Sequence, residues 1–162
     1  MLTVPQALQL AVQHHRAGNL PQAEQLYGAI LQADPGQVQA LHLLGVLAAQ
    51  RGQHTQAVDY LRQALRNKPD DAEVHLNLGK VLQEQGKSAE AVVSLQQALR
   101  LRPDWAEAHN NLGNVLKAQG QLAEAAASYQ QALRCQPDHA EAHNNLGNVL
   151  QDQGQLDEAL AS

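Results

Sequence analysis

The chain has 162 residues, a formal net charge of −5, 44% apolar residues and only 2% aromatic ones, with no Phe. That acidic balance leaves no basic stripe for nucleic acid, and the single cysteine, Cys135, excludes an intrachain disulfide framework or a cysteine-built zinc site. No run of 18 apolar residues is present to span a membrane, and the first twenty residues lack the basic and apolar regions of a signal peptide, so a cytoplasmic location is expected.

A fixed period governs the rest. Pro35, Pro69, Pro103 and Pro137 are 34 residues apart, as are Gly18, Gly52, Gly86, Gly120 and Gly154. A second series, Gly45, Gly79, Gly113 and Gly147, keeps the same spacing, and residues 106–128 match 140–162 at 19 of 23 positions. Periods of this kind mean stacked supersecondary units. With proline at position 32, the repeats run 4–37, 38–71, 72–105, 106–139 and 140–162.

Repeat one is degenerate: Ala11 stands where the others have glycine, His14 where leucine is usual, and Pro21 opens its second helix. Repeat three shows the full unit. Asp70 and Glu73 form a capping-box pattern, repeated at Asp104/Glu107 and Asp138/Glu141. A first helix carrying His75, Leu78, Gly79 and Leu82 on one face should stop at Gly86, where a left-handed residue is tolerated. A second helix from about Ser88 should turn Ala91, Leu95, Ala98 and Leu99 inward and end before Pro103. Gly79 opposite Ala91 predicts a close approach of helices. Repeat five ends at Ser162, eight residues after Gly154, where a second helix would begin. Its incompleteness reads as that of a fragment, and Leu156, Ala159 and Leu160, with Leu146, Val149 and Leu150, predict uncovered apolar surface and self-association.

The pattern Leu78-Gly79-x-x-Leu82, Ala91, Leu95, Ala98, Pro103 resembles the tetratricopeptide repeat over essentially the whole chain. The resemblance implies an all-α, right-handed superhelical solenoid of antiparallel helix pairs acting as a protein–protein interaction scaffold. The chain departs from that family at position 4, where a large residue is common but Ala7, Leu41, His75, His109 and His143 occur. Looser stacking is expected there.

Asparagine recurs on the first helices: Asn110 and Asn144 at position 5, Asn77, Asn111 and Asn145 at position 6, Asn114 and Asn148 at position 9. Glu107, Asn111, Asn114 and Ala118 share a face about 200° of rotation from Gly113, counting roughly 100° per residue. Three asparagines in one helix cost about 1.5–2 kcal/mol against alanine. Each amide offers a donor and an acceptor to an extended peptide backbone. The series resembles the asparagine ladder of O-linked N-acetylglucosamine transferases, which implies a concave peptide groove. Asn77, Lys80, Asn110, Asn111, Asn114, Asn144, Asn145 and Asn148 are therefore the expected peptide-binding residues. Acidic chaperone tails are disfavoured, because in repeats two to five Lys80 and Lys117 are the only basic residues at the groove positions. The competing account of the ladder is simple duplication of a soluble face.

No catalytic constellation is visible, and neither metal nor cofactor is expected. His75, His109 and His143 lie at least one helix layer apart, about 8–10 Å, whereas zinc ligands sit about 2 Å from the ion. Two functions remain: a free-standing module for peptide or protein partners, or the substrate-recognition arm of a larger bacterial glycosyltransferase resembling the O-linked N-acetylglucosamine family.

Overall fold

Each of the first four periods folds as two helices because its apolar residues recur at three- and four-residue spacing and its Gly and Pro interrupt at fixed places. A computed structural model describes residues 2–161, with side chains described through Gly154. The described residues are all-α, a repeat of helix pairs without strands. The helices are α1 (Val4–Arg16), α2 (Leu20–Ala33), α3 (Val38–Gln50), α4 (His54–Asn67), α5 (Ala72–Glu84), α6 (Ser88–Leu101), α7 (Ala106–Ala118), α8 (Leu122–Cys135) and α9 (Ala140–Ala161). The chain forms two compact units, Met1–Val81 and Leu82–Ser162, divided within α5.

Two devices close the turns. Gly18, Gly52, Gly86 and Gly120 have φ between +72° and +77°, a conformation that costs a residue with a Cβ. After α7 this glycine lets Gly120 N–H reach Lys117 O at 2.9 Å and Gln121 N–H reach Leu116 O at 3.0 Å, a Schellman closure. At the other turn, the position-4 histidines act as clips. Nε2 of His75, His109 and His143 donates to the carbonyls of Pro69, Pro103 and Pro137, each at 2.8 Å. The expected loosening at position 4 is thus offset by a bond that no large apolar residue could make.

The capping expectation is off by one residue. Asp70 lies in the proline turn; it is Asp71 whose Oδ1 accepts Val74 N–H at 3.3 Å. Trp105 occupies the same place before α7 with no side-chain cap, and His139 Nδ1 accepts Ala142 N–H at 3.3 Å before α9. The Pro-Asp pair is used up by the turn, so the cap falls on the next residue.

The first unit packs Ala11, Ala23, Tyr27, Ile30, Ala40, Leu44 and Leu47 into one buried cluster. In the second, Ala125, Ala126, Tyr129 and Val149 form the corresponding cluster, flanked by Leu116, Leu122 and Leu146. Small residues permit both. A Cβ on Gly45 would stand 2.7 Å from Leu61 Cγ and 3.3 Å from Ala57 O, and one on Gly113 would stand 2.5 Å from Tyr129 Cε1. The glycine therefore makes room less for a small partner than for a large one, Leu61 or Tyr129, both fully buried.

The last helix differs from expectation. α9 runs unbroken from Ala140 to Ala161, with no turn at Gly154 and no left-handed φ there. Glycine permits a break but does not impose one. Burial of the following helix draws the chain through the other turns, and the seven described residues after Gly154 continue as helix. Val149, expected to be uncovered, is fully buried against α8, whereas Leu150 is 50% exposed. The side chains of Leu156, Ala159 and Leu160 lie outside the described residues.

The Gly113→Ala variant should lose about 1–3 kcal/mol through overpacking against the Tyr129 ring. Gly147 has nothing within 4 Å of its Cβ position, so Gly147→Ala should hold or gain up to about 1 kcal/mol from helix propensity. Denaturant titrations of the two variants check this, and the reverse order would mean the packing face is misassigned.

Candidate functional site

The asparagines expected to read a peptide divide into two groups, and hydrogen bonding separates them. On α7 and α9 the amides first satisfy one another. Asn145 Nδ2 donates to Asn110 Oδ1 at 3.1 Å and to Asn114 Oδ1 at 3.0 Å. The Tyr129 hydroxyl donates to Asn114 Oδ1 at 2.8 Å, and Asn114 Nδ2 reaches Glu141 Oε1 at 3.4 Å. Asn110 is only 1% exposed, and its acceptor is taken, so a peptide reaches neither its face nor its oxygen. Burial, with the Glu141 charge second, pushes the Tyr129 hydroxyl up to about 12; it stays a donor throughout the physiological range.

The first unit holds a counterpart of this rung. Asn77 Nδ2 donates to His42 Nε2 at 2.7 Å. His42 is position 5 of its repeat and Asn77 position 6 of the next, the same offset as Asn110 and Asn145. The acceptor role requires a neutral imidazole protonated at Nδ1. Burial depresses the His42 pKa, and nearby Asp71 and Glu73 only partly oppose that. Position 6 thus donates to position 5 of the preceding repeat wherever that residue carries an acceptor.

The second group makes none of these bonds. Asn144 and Asn148 are exposed on α9. Asn111 is half-buried, and its Nδ2 is buried without an acceptor. Lys80 is half-buried and engaged in interactions of its own.

Residues not anticipated from sequence line two clefts of the first unit. One, of about 410 Å³, lies along α1 and the start of α3 and is lined by Pro5, Leu8, Gln9, Val12, Gln13, Arg16 and Gln39. The second, of about 390 Å³, is lined by Gln37, Val38, Gln39, His42, Leu43, Lys68, Asp71 and Glu73. Gln39 belongs to both. The available signal was that Pro5, Leu8 and Val12 fall at positions 2, 5 and 9 of repeat one, the phase given to the asparagines elsewhere. Lys68 Nζ pairs with Asp71 Oδ2 at 3.0 Å inside the second cleft. Among the described residues no group of three His, Cys, Asp or Glu is arranged to hold a metal, and no helix is long and apolar enough to cross a membrane.

Residues 47–86, 84–120 and 113–154 match the TPR repeat, and residues 5–29 match the tetratricopeptide repeat. The chain belongs to the tetratricopeptide repeat family. Among solved tetratricopeptide-like structures, MamA superposes with a TM-score of 0.84 at 25% identity, over 93% of this chain and 88% of that one. YrrB, described as a TPR protein with an unusual peptide-binding site, gives 0.82 at 24% identity, over 98% and 82%; that likeness is one of fold. A Thermobaculum terrenum O-GlcNAc transferase gives 0.77 at 31% identity, over 83% of this chain and 27% of the transferase.

Within this tetratricopeptide array the rungs should carry measurable stability. Asn145→Ala strands the buried Asn110 acceptor and should cost roughly 1–3 kcal/mol, whereas the exposed Asn148→Ala should gain a few tenths, about the helix-propensity difference. That sign is opposite to the one helix propensity alone gives for Asn145, and denaturant melts decide it.

His42 gives a pH signature. Its folded pKa lies below the ordinary 6.5, so its contribution is fully present above the unfolded value and is lost as pH falls below it. Lowering pH from about 7 toward about 5 should destabilise the wild type more than His42→Asn, which substitutes a non-titrating acceptor. Parallel melting curves for the two proteins across that window would refute the neutral-acceptor role.

Proposed function

We propose that this chain is a protein–protein interaction module that binds extended peptide segments on the faces of its first helices, each unit using its own surface. Membership in the tetratricopeptide repeat family supports an interaction role. The observation that carries the peptide reading is the pair of adjoining clefts on α1, α3 and α5, joined at Gln39. Their walls mix apolar side chains with amides, the combination that grips side chains while bonding a backbone.

The asparagine face of the second unit extends this reading. Asn111, Asn144 and Asn148 are the amides left over once Asn110, Asn114 and Asn145 are bonded to each other. A peptide carbonyl is an acceptor that suits the exposed amides of Asn144 and Asn148. Asn77 in the first unit and Asn110, Asn114 and Asn145 in the second then serve by holding the first helices of each unit in register, and Lys80 is the basic residue at position 9.

A random peptide library displayed on phage and panned against the chain should enrich binders. Asn111→Ala/Asn144→Ala/Asn148→Ala should weaken peptides held by the second unit by about tenfold or more, with a melting temperature no lower than wild type. Absence of any enrichment overturns the peptide reading. Enriched peptides that all bind the triple variant as tightly as wild type overturn the part assigned to the asparagines.

A second reading is favoured by the 31% identity to the Thermobaculum terrenum transferase. In it the chain is the substrate-recognition arm of an O-linked N-acetylglucosamine transferase-like enzyme, with the chemistry carried elsewhere in the polypeptide. The reading frame after Ser162 tests this. A glycosyltransferase domain there supports it, further repeats favour the free-standing module, and a reading frame that closes without such a domain overturns it.

A further inference from the structure

The first unit's clefts differ in charge in a way that specifies a ligand. The cleft along α1 has an apolar floor made by Pro5, Leu8 and Val12; Leu8 is partly buried and packed on the core cluster. Its only formal charge is Arg16, at the end of a helix that has no acidic residue and finishes His14-His15-Arg16. No carboxylate pairs with Arg16 among the described residues. This is a cationic spot on a chain of net charge −5. The neighbouring cleft carries Asp71 and Glu73 against the single Lys68, and its His42 is held neutral by burial and by the Asn77 bond. An acidic ligand group is therefore repelled on the α5 side and attracted on the α1 side.

We propose that the α1–α3 cleft binds an extended peptide carrying a large aliphatic side chain next to a carboxylate, the aliphatic group on Leu8 and Val12 and the carboxylate on Arg16. This rests on the peptide-binding reading above and adds the class of peptide selected. The aliphatic group covers a floor that is otherwise wet, which is favourable in proportion to the area removed from water. The carboxylate gains a guanidinium with unused donors in a fork that matches it. The amides of Gln9, Gln13 and Gln39 stand along the same wall to meet the backbone. Because Arg16 is exposed, the charge sets selectivity and the apolar floor sets much of the affinity.

Fluorescein-labelled decapeptides in a Gly-Ser frame, with Leu-Asp, Leu-Lys or Ser-Asp at the centre, test the assignment by anisotropy against the full chain. The Leu-Asp peptide should bind about tenfold tighter than either of the others at low salt, and added salt should narrow its lead over Leu-Lys. Arg16→Glu, an exposed change that should lower the melting temperature only slightly by opposing the helix dipole, should reverse the order of Leu-Asp and Leu-Lys. Val12→Ser should weaken both leucine peptides and leave the Ser-Asp peptide as it was. Equal binding of Leu-Asp and Leu-Lys to wild type, or an Arg16→Glu variant with the wild-type order, overturns the proposal. The panned library separates this from failure of the broader reading. Enriched peptides that lack an aliphatic–acidic pair and ignore Arg16→Glu overturn the assignment alone, whereas no enrichment at all overturns both.

Discussion

A hydrogen atom in place of a side chain, at position 8 of the repeat, is the constraint on which both units depend. Gly45 lies against Leu61 and Gly113 against the Tyr129 ring so closely that an added Cβ would come within 3 Å of either. The glycine costs roughly 1 kcal/mol of helix propensity. In return a side chain worth about 1.5–3 kcal/mol when fully buried is placed between the paired helices, and burial wins. The first repeat reaches the same end with Ala11 and Tyr27, both fully buried.

The depth of that packing explains the polar layer above it. Tyr129 penetrates far enough for its hydroxyl to meet Asn114, and Asn114 shares the Asn145 amide with Asn110. Asparagine in a helix is unfavourable by a few tenths of a kcal/mol, about 0.5–0.7 against alanine. Each hydrogen bond made in partial burial returns about 0.5–1.5 kcal/mol. The asparagines of the rung are thus held by structure first. His42 fills the same role in the first unit only as a neutral ring, which is why a buried acceptor there becomes a titrating one.

Charge is distributed with similar economy. Buried polar positions are neutral amides, hydroxyls or a neutral imidazole, while formal charge stays on rims: Arg16 beside the first cleft, Lys68 with Asp71 and Glu73 beside the second, Lys117 with Asp152 between α7 and α9. Exposed pairs of this kind contribute little to stability. Their consequence is for selectivity, since a rim charge acts on an approaching ligand without having been desolvated beforehand.

Periodicity determined the helix pairs and turn glycines through Gly120, because each depends on one residue's own conformational preference or on spacing within one helix. The left-handed glycines and the prolines are of this kind, and they are found where the 34-residue frame puts them. The asparagine face was legible as a stripe, but which of its amides remain free was not. That depends on whether the residue 35 positions earlier offers an acceptor, as His42 does to Asn77 and Asn110 to Asn145, a pairing between helices of different repeats that no single-helix pattern displays. The same limit explains the misplaced caps, where the proline turn takes the aspartate, and the unbroken α9, where Gly154 permits a turn without compelling one. Local chemistry fixes what a residue is able to do; only packing between helices decides which of those capacities is already spent inside the protein.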